Sequence, residues 1–213
     1  MSHLLLGLDT STSTASVALF DGQRVLSETT WLAGREHSTR LLIEVEIALE
    51  RVGTRAQDLT GLVVARGPGS FTGVRVALSV AKGIAAGLRV PLWGVNSLDV
   101  MAHGAGAVDL PVRAVLEAGR SRYATALYSK GQCVQTPCLA TIDQLEELIA
   151  EKTFLIGELS EEARARLEGH PLTKLADPAA CLRRAGFLAE LGWRLAQSGD
   201  PGDPRALDAL YVT

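Results

Sequence analysis

Leu62-Val63-Val64-Ala65-Arg66-Gly67-Pro68-Gly69-Ser70-Phe71-Thr72-Gly73-Val74-Arg75 is the stretch that decides the fold. Its first four residues are a short apolar run that reads as a buried strand, and residues 73–88 carry apolar side chains at helical spacing. Between the two, three glycines and a proline in seven residues set backbone geometry rather than burial. A glycine-rich turn from strand to helix puts free N–H groups at a helix start, where Ser70 or Thr72 can cap. Two readings of the loop stay open: a cradle for a phosphate or carboxylate, and tight packing of strand against helix. The familiar templates do not fit. A P-loop ends in Gly-Lys-Ser/Thr, whereas Val74 follows Gly73; the dinucleotide motif needs its third glycine one position earlier and an acidic residue beyond. The Gly-x-Ser-x-Gly elbow is broken by Pro68 and Thr72 around Ser70.

Upstream, residues 3–9 and 15–20 read as strands, and Asp21-Gly22 as a hairpin turn into a third strand at 24–31. A helix is predicted from Ser38 to Val52, ended by Gly53. The strand at 61–66, the helix at 73–88 and a strand at 90–95 complete a β-β-β-α-β-α-β order. The second half partly repeats it. Strands are predicted at 112–116 and 123–128, then a Lys130-Gly131 turn into a short third strand. Thr141-Ile142-Asp143-Gln144 is a capping box for a helix running to about Ala150, before a strand at 154–157 and a long helix from Ala179 to Gln197. The expected organisation is an N-terminal lobe over 1–103 and a smaller C-terminal lobe over 108–204, joined by the Gly-rich stretch from Ala102 to Ala107. Residues 205–213 are a candidate return to the first lobe.

The 213 residues are 47% hydrophobic, enough for a substantial core, and carry a net charge of −3, which argues against independent electrostatic binding of nucleic acid. Cys133, Cys138 and Cys181 form no CxxC pair and read as free thiols of a reducing compartment. Leu4-Leu5-Leu6-Gly7-Leu8 is cut short by Asp9 and lacks a basic flank. No signal peptide or membrane span is expected, and the expected location is the cytoplasm.

Gly67 to Arg75 closely resembles the signature of the TsaB (YeaZ) family, whose members serve the bacterial machinery making N6-threonylcarbamoyladenosine (t6A) at position 37 of tRNA. Leu8-Asp9-Thr10-Ser11-Thr12, Arg35-Glu36-His37-Ser38-Thr39-Arg40 and Gly94-Val95-Asn96-Ser97-Leu98 resemble that family in order and spacing. The resemblance is dense over residues 4–103. Beyond, only Val115-Leu116-Glu117-Ala118 with Tyr123, and Leu210-Tyr211-Val212, are similar. It implies an α/β, actin-like two-lobed fold with ribonuclease H-like βββαβα lobes and a reduced C-terminal lobe. It also implies a non-catalytic partner of TsaD, the subunit carrying the metal and transferring the threonylcarbamoyl group. TsaE, an ATPase, would bind the same assembly, tRNA would be reached only through the complex, and the chain alone would form a homodimer.

Asp9 is followed by five hydroxyl residues, Thr10 to Thr14. In actin-like ATPases an acid here orients metal-bound water; the other reading is a turn that caps a hairpin. No second nucleotide-binding signature appears in the C-terminal half, so Asp9 and Thr10, with Gly67, Gly69, Ser70, Thr72 and Gly73, are candidates for a phosphate site or a structural loop. His3, His37, His103 and His170 show no i, i+4 pair. Where the resemblance places TsaD's His-x-x-x-His metal motif, this chain has Ser97 and Met101, poor ligands for a hard divalent ion. His37, beside Arg35, Glu36 and Arg40, is either a base or a helix-start surface residue. Nothing local assembles Ser70 and His37 into a protease centre. No catalytic residue, no metal and no cofactor bound by this chain alone is assigned; a nucleotide at a subunit junction is a candidate.

Both N-terminal helices carry a second apolar side. On the first, Leu41, Leu42, Val45, Ala48, Leu49 and Val52 share the core face, while Ile43 and Ile47 lie opposite among charges. On the second, Val74, Ala77, Leu78, Ala81, Ile84, Ala85 and Leu88 face the core, while Val76, Val80, Gly83 and Gly87 line another side. Each interior glycine costs about 1 kcal/mol of helix propensity, which close approach of another helix would offset. Ile43, Ile47, Val76, Val80, Gly83 and Gly87 are therefore the expected partner interface; in TsaB-like proteins the matching helices pair with TsaD or a second copy. The alternatives are an independent ATP-dependent phosphotransferase of the sugar-kinase group, and a homodimeric scaffold.

Overall fold

The computed structural model describes residues 3–33, 37–119 and 121–212. Two five-stranded sheets are built on one plan. The first contains β1 (Leu5–Asp9), β2 (Thr14–Phe20), β3 (Val25–Leu32), β4 (Gly61–Ala65) and β5 (Leu92–Val95), in the order β3-β2-β1-β4-β5. β1–β2 and β2–β3 are antiparallel, and β1–β4 and β4–β5 parallel. The second contains β6 (Val112–Glu117), β7 (Tyr123–Ser129), β8 (Gln132–Ala140), β9 (Thr153–Gly157) and β10 (Thr173–Leu175), and its order β8-β7-β6-β9-β10 repeats the first. This is the two-lobed actin-like architecture that the resemblance implies.

β1, β2 and β4 are buried along their whole length, as continuous apolar runs covered on both faces should be. One face of the first sheet, with Leu6, Leu8, Val17, Leu19, Leu62 and Val64, packs under α1 (His37–Val52) and α2 (Phe71–Leu88). α2 is long and apolar enough to cross a membrane by length and composition. Val74, Ala77, Leu78, Ala81 and Ala85 nonetheless lie in this core, so the helix is a packed element of the sheet.

The other face, with Leu5, Phe20, Val63 and Ala65, is covered by Leu188 and Ala189 of α6 (Ala185–Gln197). Gly192 permits the contact: a Cβ there would overlap the Val63 side chain. Conversely, α3 (Ser97–His103) sends Leu98 and Met101 into the core of the second sheet, against Val112, Ala114, Leu116 and Ala124. Each sheet is thus covered on one face by a helix from the other half of the chain. α3 serves both sheets, since Val100 lies with Leu5, Phe20 and Val63 in the core of the first, and the apolar pattern of a sequence shows that a helix is buried but not against what. The second sheet's remaining face is covered by α4 (Ile142–Glu147) and α5 (Glu161–Glu168).

Three further differences from the sequence reading are seen. α2 begins at Phe71 because Ser70 caps it, accepting from Gly73 N at 3.3 Å. The helix expected from Ala179 is a 3-10 turn at Pro178–Cys181, an extended Leu182–Arg184, and α6, since Arg183 is drawn into the molecule. α5 and β10 are additional elements. The tail returns to the first sheet: Gly202 O accepts from Leu92 N at 2.9 Å, and Leu210 N donates to Arg66 O at 2.6 Å. Tyr211 stacks on Phe71 with ring centroids 5.4 Å apart.

Candidate functional site

The loop from Gly67 to Gly73 lies directly on the loop that follows β1. Ser70 N donates to Ser11 O at 2.5 Å, and Thr10 Oγ1 donates to Gly73 O at 2.7 Å. A Cβ on Gly69 would overlap Ser11 O, and one on Gly73 would overlap Thr10 O. Gly67 sits at φ +95° and packs against Leu210 O. Ser97 N donates to Gly67 O at 2.8 Å, and Ser97 Oγ bonds Ser11 Oγ at 3.0 Å. The amides of Ser70, Gly73 and Val74 bond to partners within the chain. Ser70 and Thr72 are exposed. Ser70→Ala should cost about 1 kcal/mol, the loss of one helix cap, read as a lower urea midpoint. An unchanged midpoint would show that the Ser70 hydroxyl does not support the helix start.

Asp9 ends β1 and is 1% exposed. Its Oδ1 accepts from Ser11 N at 2.7 Å, and its Oδ2 is paired with Arg183 Nε at 2.9 Å. Arg183 reaches this point from the segment before α6 and is also 1% exposed. Its Nη1 meets Glu158 Oε1 at 2.5 Å, and its Nη2 donates to Thr12 Oγ1 at 2.8 Å and Thr14 O at 3.3 Å. Burial alone would push this guanidinium down; the carboxylates of Asp9 and Glu158 outweigh that and hold it above its ordinary range. Beside it an open cavity of about 320 Å³ is lined by Ser13, Thr14, Gly157, Glu158 and Leu182. Arg183 and Glu158 were missed from the sequence, where Arg183-Arg184 reads as ordinary surface charge. A faint signal exists: like Asp9, Glu158 is an acid at the end of a buried apolar strand.

Ser97 is fully buried and Met101 is 1% exposed in the second sheet's core, each occupied in packing or hydrogen bonding. Among the described residues no three His, Cys, Asp or Glu side chains converge as a metal site. Arg35 and Glu36, and the His37 side chain, lie outside the described residues. Cys133, Cys138 and Cys181 are free.

A second polar contact lies across the lobes, where Tyr128 of β7 donates to Asp99 Oδ1 of α3 at 2.6 Å. Burial pushes the Asp99 carboxyl up, with the Tyr128 hydroxyl opposing. A carboxyl that holds its proton more tightly folded than unfolded adds stability when protonated and loses it as pH rises through its folded value. Asp99→Asn keeps an acceptor for Tyr128 and removes the charge. It should flatten the stability gained on mild acidification and leave stability at pH 7 equal or higher, measured by urea unfolding from pH 4 to 7.

On α1, Ile43 is 50% exposed and Ile47 half-buried; on α2, Gly83 and Gly87 are exposed, and a Cβ on either would meet nothing within 4 Å. Two expectations are corrected. Leu42, read as a core residue, is 47% exposed, since the buried arc of α1 is turned towards the opposite edge, where Glu44 is buried and paired with Arg40. Val76 and Val80 are half-buried against the core rather than pointing clear of it, since α1 and α2 pack together.

The family model described as TsaD, tRNA N6-adenosine threonylcarbamoyltransferase, matches residues 31–179. The Escherichia coli tRNA threonylcarbamoyladenosine biosynthesis protein TsaB is 43% identical over 101 residues, 47% of this chain and 43% of that protein. The Bacillus subtilis TsaB is 35% identical over 124 residues, 58% of this chain and 54% of that protein. The chain thus spans about half the length of these curated relatives. A Pseudomonas aeruginosa structure, described as similar to the peptidase YeaZ, superposes with a TM-score of 0.83 at 25% identity, covering 99% of this chain and all of that one. With a matched stretch running through both sheets, and the same plan throughout, this chain belongs to the TsaB (YeaZ) family, within the wider group defined by TsaD.

Proposed function

We propose that the chain is a non-catalytic subunit in tRNA t6A37 formation, which docks a TsaD-like catalytic subunit through α1 and α2 and holds it in a competent form. The observation that carries this is the face of those helices. Ile43 and Leu42 are exposed together, and Gly83 and Gly87 leave open space on α2 that nothing among the described residues fills. Two interior glycines with no internal contact requiring them cost helix stability, and close approach of a second helix offsets that cost. The relatives named TsaB support the pathway. A TsaD-like partner shares the family model and hence the fold, so like helices can pair with like.

By the same reading, a TsaE-like ATPase joins the complex in the cytoplasm, tRNA is reached through it, a nucleotide is a candidate only at the subunit junction, and the chain alone pairs with itself. The rival reading, an independent phosphotransferase, needs Asp9 free for a metal-bound phosphate, and Asp9 is engaged by Arg183. Gel filtration of the chain with a TsaD-like subunit tests the proposal. Co-elution, with t6A formed only when both are present, is expected; full t6A synthesis without this chain would overturn it.

A further inference from the structure

We propose that Arg183 is a tethered cation that bolts the two lobes together and keeps the cleft between them shut. Its partners come from both sides. Asp9, Thr12 and Thr14 belong to the first sheet and its β1–β2 loop, while Glu158 directly follows β9 of the second. All three guanidinium nitrogens are used, and the backbone is pinned as well, since Ser16 Oγ donates to Arg183 O at 3.1 Å. Thr12 links the acids, donating to Glu158 Oε1 at 2.6 Å while accepting from Arg183 Nη2.

A buried guanidinium satisfied by two carboxylates from different lobes does what a diffusible cation does elsewhere: it makes two acids tolerable at close range in a dry place. Because the cation is covalently part of the chain, the site is always full. Any anionic ligand entering here would have to displace Asp9 or Glu158 from a fully satisfied, buried arginine, and any hinge motion that separates β1 from β9 would break an ion pair. Lysine is not equivalent, since one ammonium cannot present separate, fixed donors to Asp9, Glu158 and Thr12. This inference concerns the chain alone and stands apart from the docking of a catalytic subunit.

The test uses Arg183→Ala, Arg183→Met and Arg183→Lys in the full chain. Breaking a buried pair on one side should lower Tm by about 10 °C in the Ala variant and enlarge the radius of gyration in small-angle scattering. Guanidinium chloride at roughly 20 mM, far below denaturing levels, should raise the Ala variant's Tm by several degrees. Sodium chloride and urea at equal concentration should not, and the wild type should not respond. Arg183→Lys keeps the charge; it should lose about half as much Tm as the Ala variant and show faster amide exchange in β1 and β9 than the wild type. A Met or Lys variant equal to wild type in Tm and radius, or a folded Ala variant indifferent to guanidinium, overturns the proposal.

Discussion

Gly73→Ala should cost more than about 3 kcal/mol, at the severe end of single substitutions, although it adds one methyl group to a helix. The new Cβ would overlap Thr10 O, so backbone meets backbone and no side chain can rotate away. Relief requires moving the first turn of α2 off the β1–β2 loop, which would break the bond from Thr10 Oγ1 to Gly73 O and the Ser70 cap together and drag Val74 out of the core. Gly83→Ala, ten residues along the same helix, is the control. Its Cβ meets open space, so it should be neutral or should stabilise by up to about 1 kcal/mol. Urea midpoints of the two variants decide the matter; a Gly73→Ala midpoint equal to wild type would show that the two loops are not rigidly docked.

Gly83→Leu should leave the chain folded, with equal or higher Tm, and, if α1 and α2 dock a TsaD-like subunit as proposed, reduce affinity for it by about 30-fold or more. Within the chain the leucine has room; against a closely approaching helix it does not. Ile43→Arg should act similarly by burying an unpaired charge at the same contact. These positions are cleaner probes than Val80 or Ile47, whose half-buried side chains would confound docking with stability. Titration calorimetry, with circular dichroism of each variant alone, separates the effects. Wild-type affinity in both folded variants would place the docking surface on another face.

Much of the fold is legible because periodicity and turn chemistry are local. Leu62–Ala65 followed by three glycines gives a strand, a turn and a helix wherever it occurs, and Thr141 with Gln144 marks a helix start by a contact spanning three residues. The Ser97 and Met101 positions could be compared with a metal motif because both lie in one short segment. What was not legible depends on partners far apart in the chain. Asp9 and Arg183 are 174 residues apart, and no pattern around either announces the other. Leu42 shows a related limit: it stands at the edge of the apolar arc, and the buried arc is turned towards its other edge, where Glu44 is buried and paired with Arg40. Val76 and Val80 show the limit of a helical wheel, which cannot register that a second helix already shelters one flank.

The exchange of α3 and α6 between the sheets bears on how the chain emerges during synthesis. When the ribosome has delivered β1 to β5 and α3, Leu5, Phe20, Val63 and Ala65 have Val100 beside them on their second face but lack Leu188 and Ala189 of α6. At about 5–20 residues per second, that gap of roughly ninety residues lasts on the order of ten seconds. Throughout it, the first half presents an apolar sheet surface to its surroundings, and Leu98 and Met101 of α3 wait for a sheet not yet translated. The nascent first half is therefore a natural client for factors that shield apolar surface beside the exit tunnel.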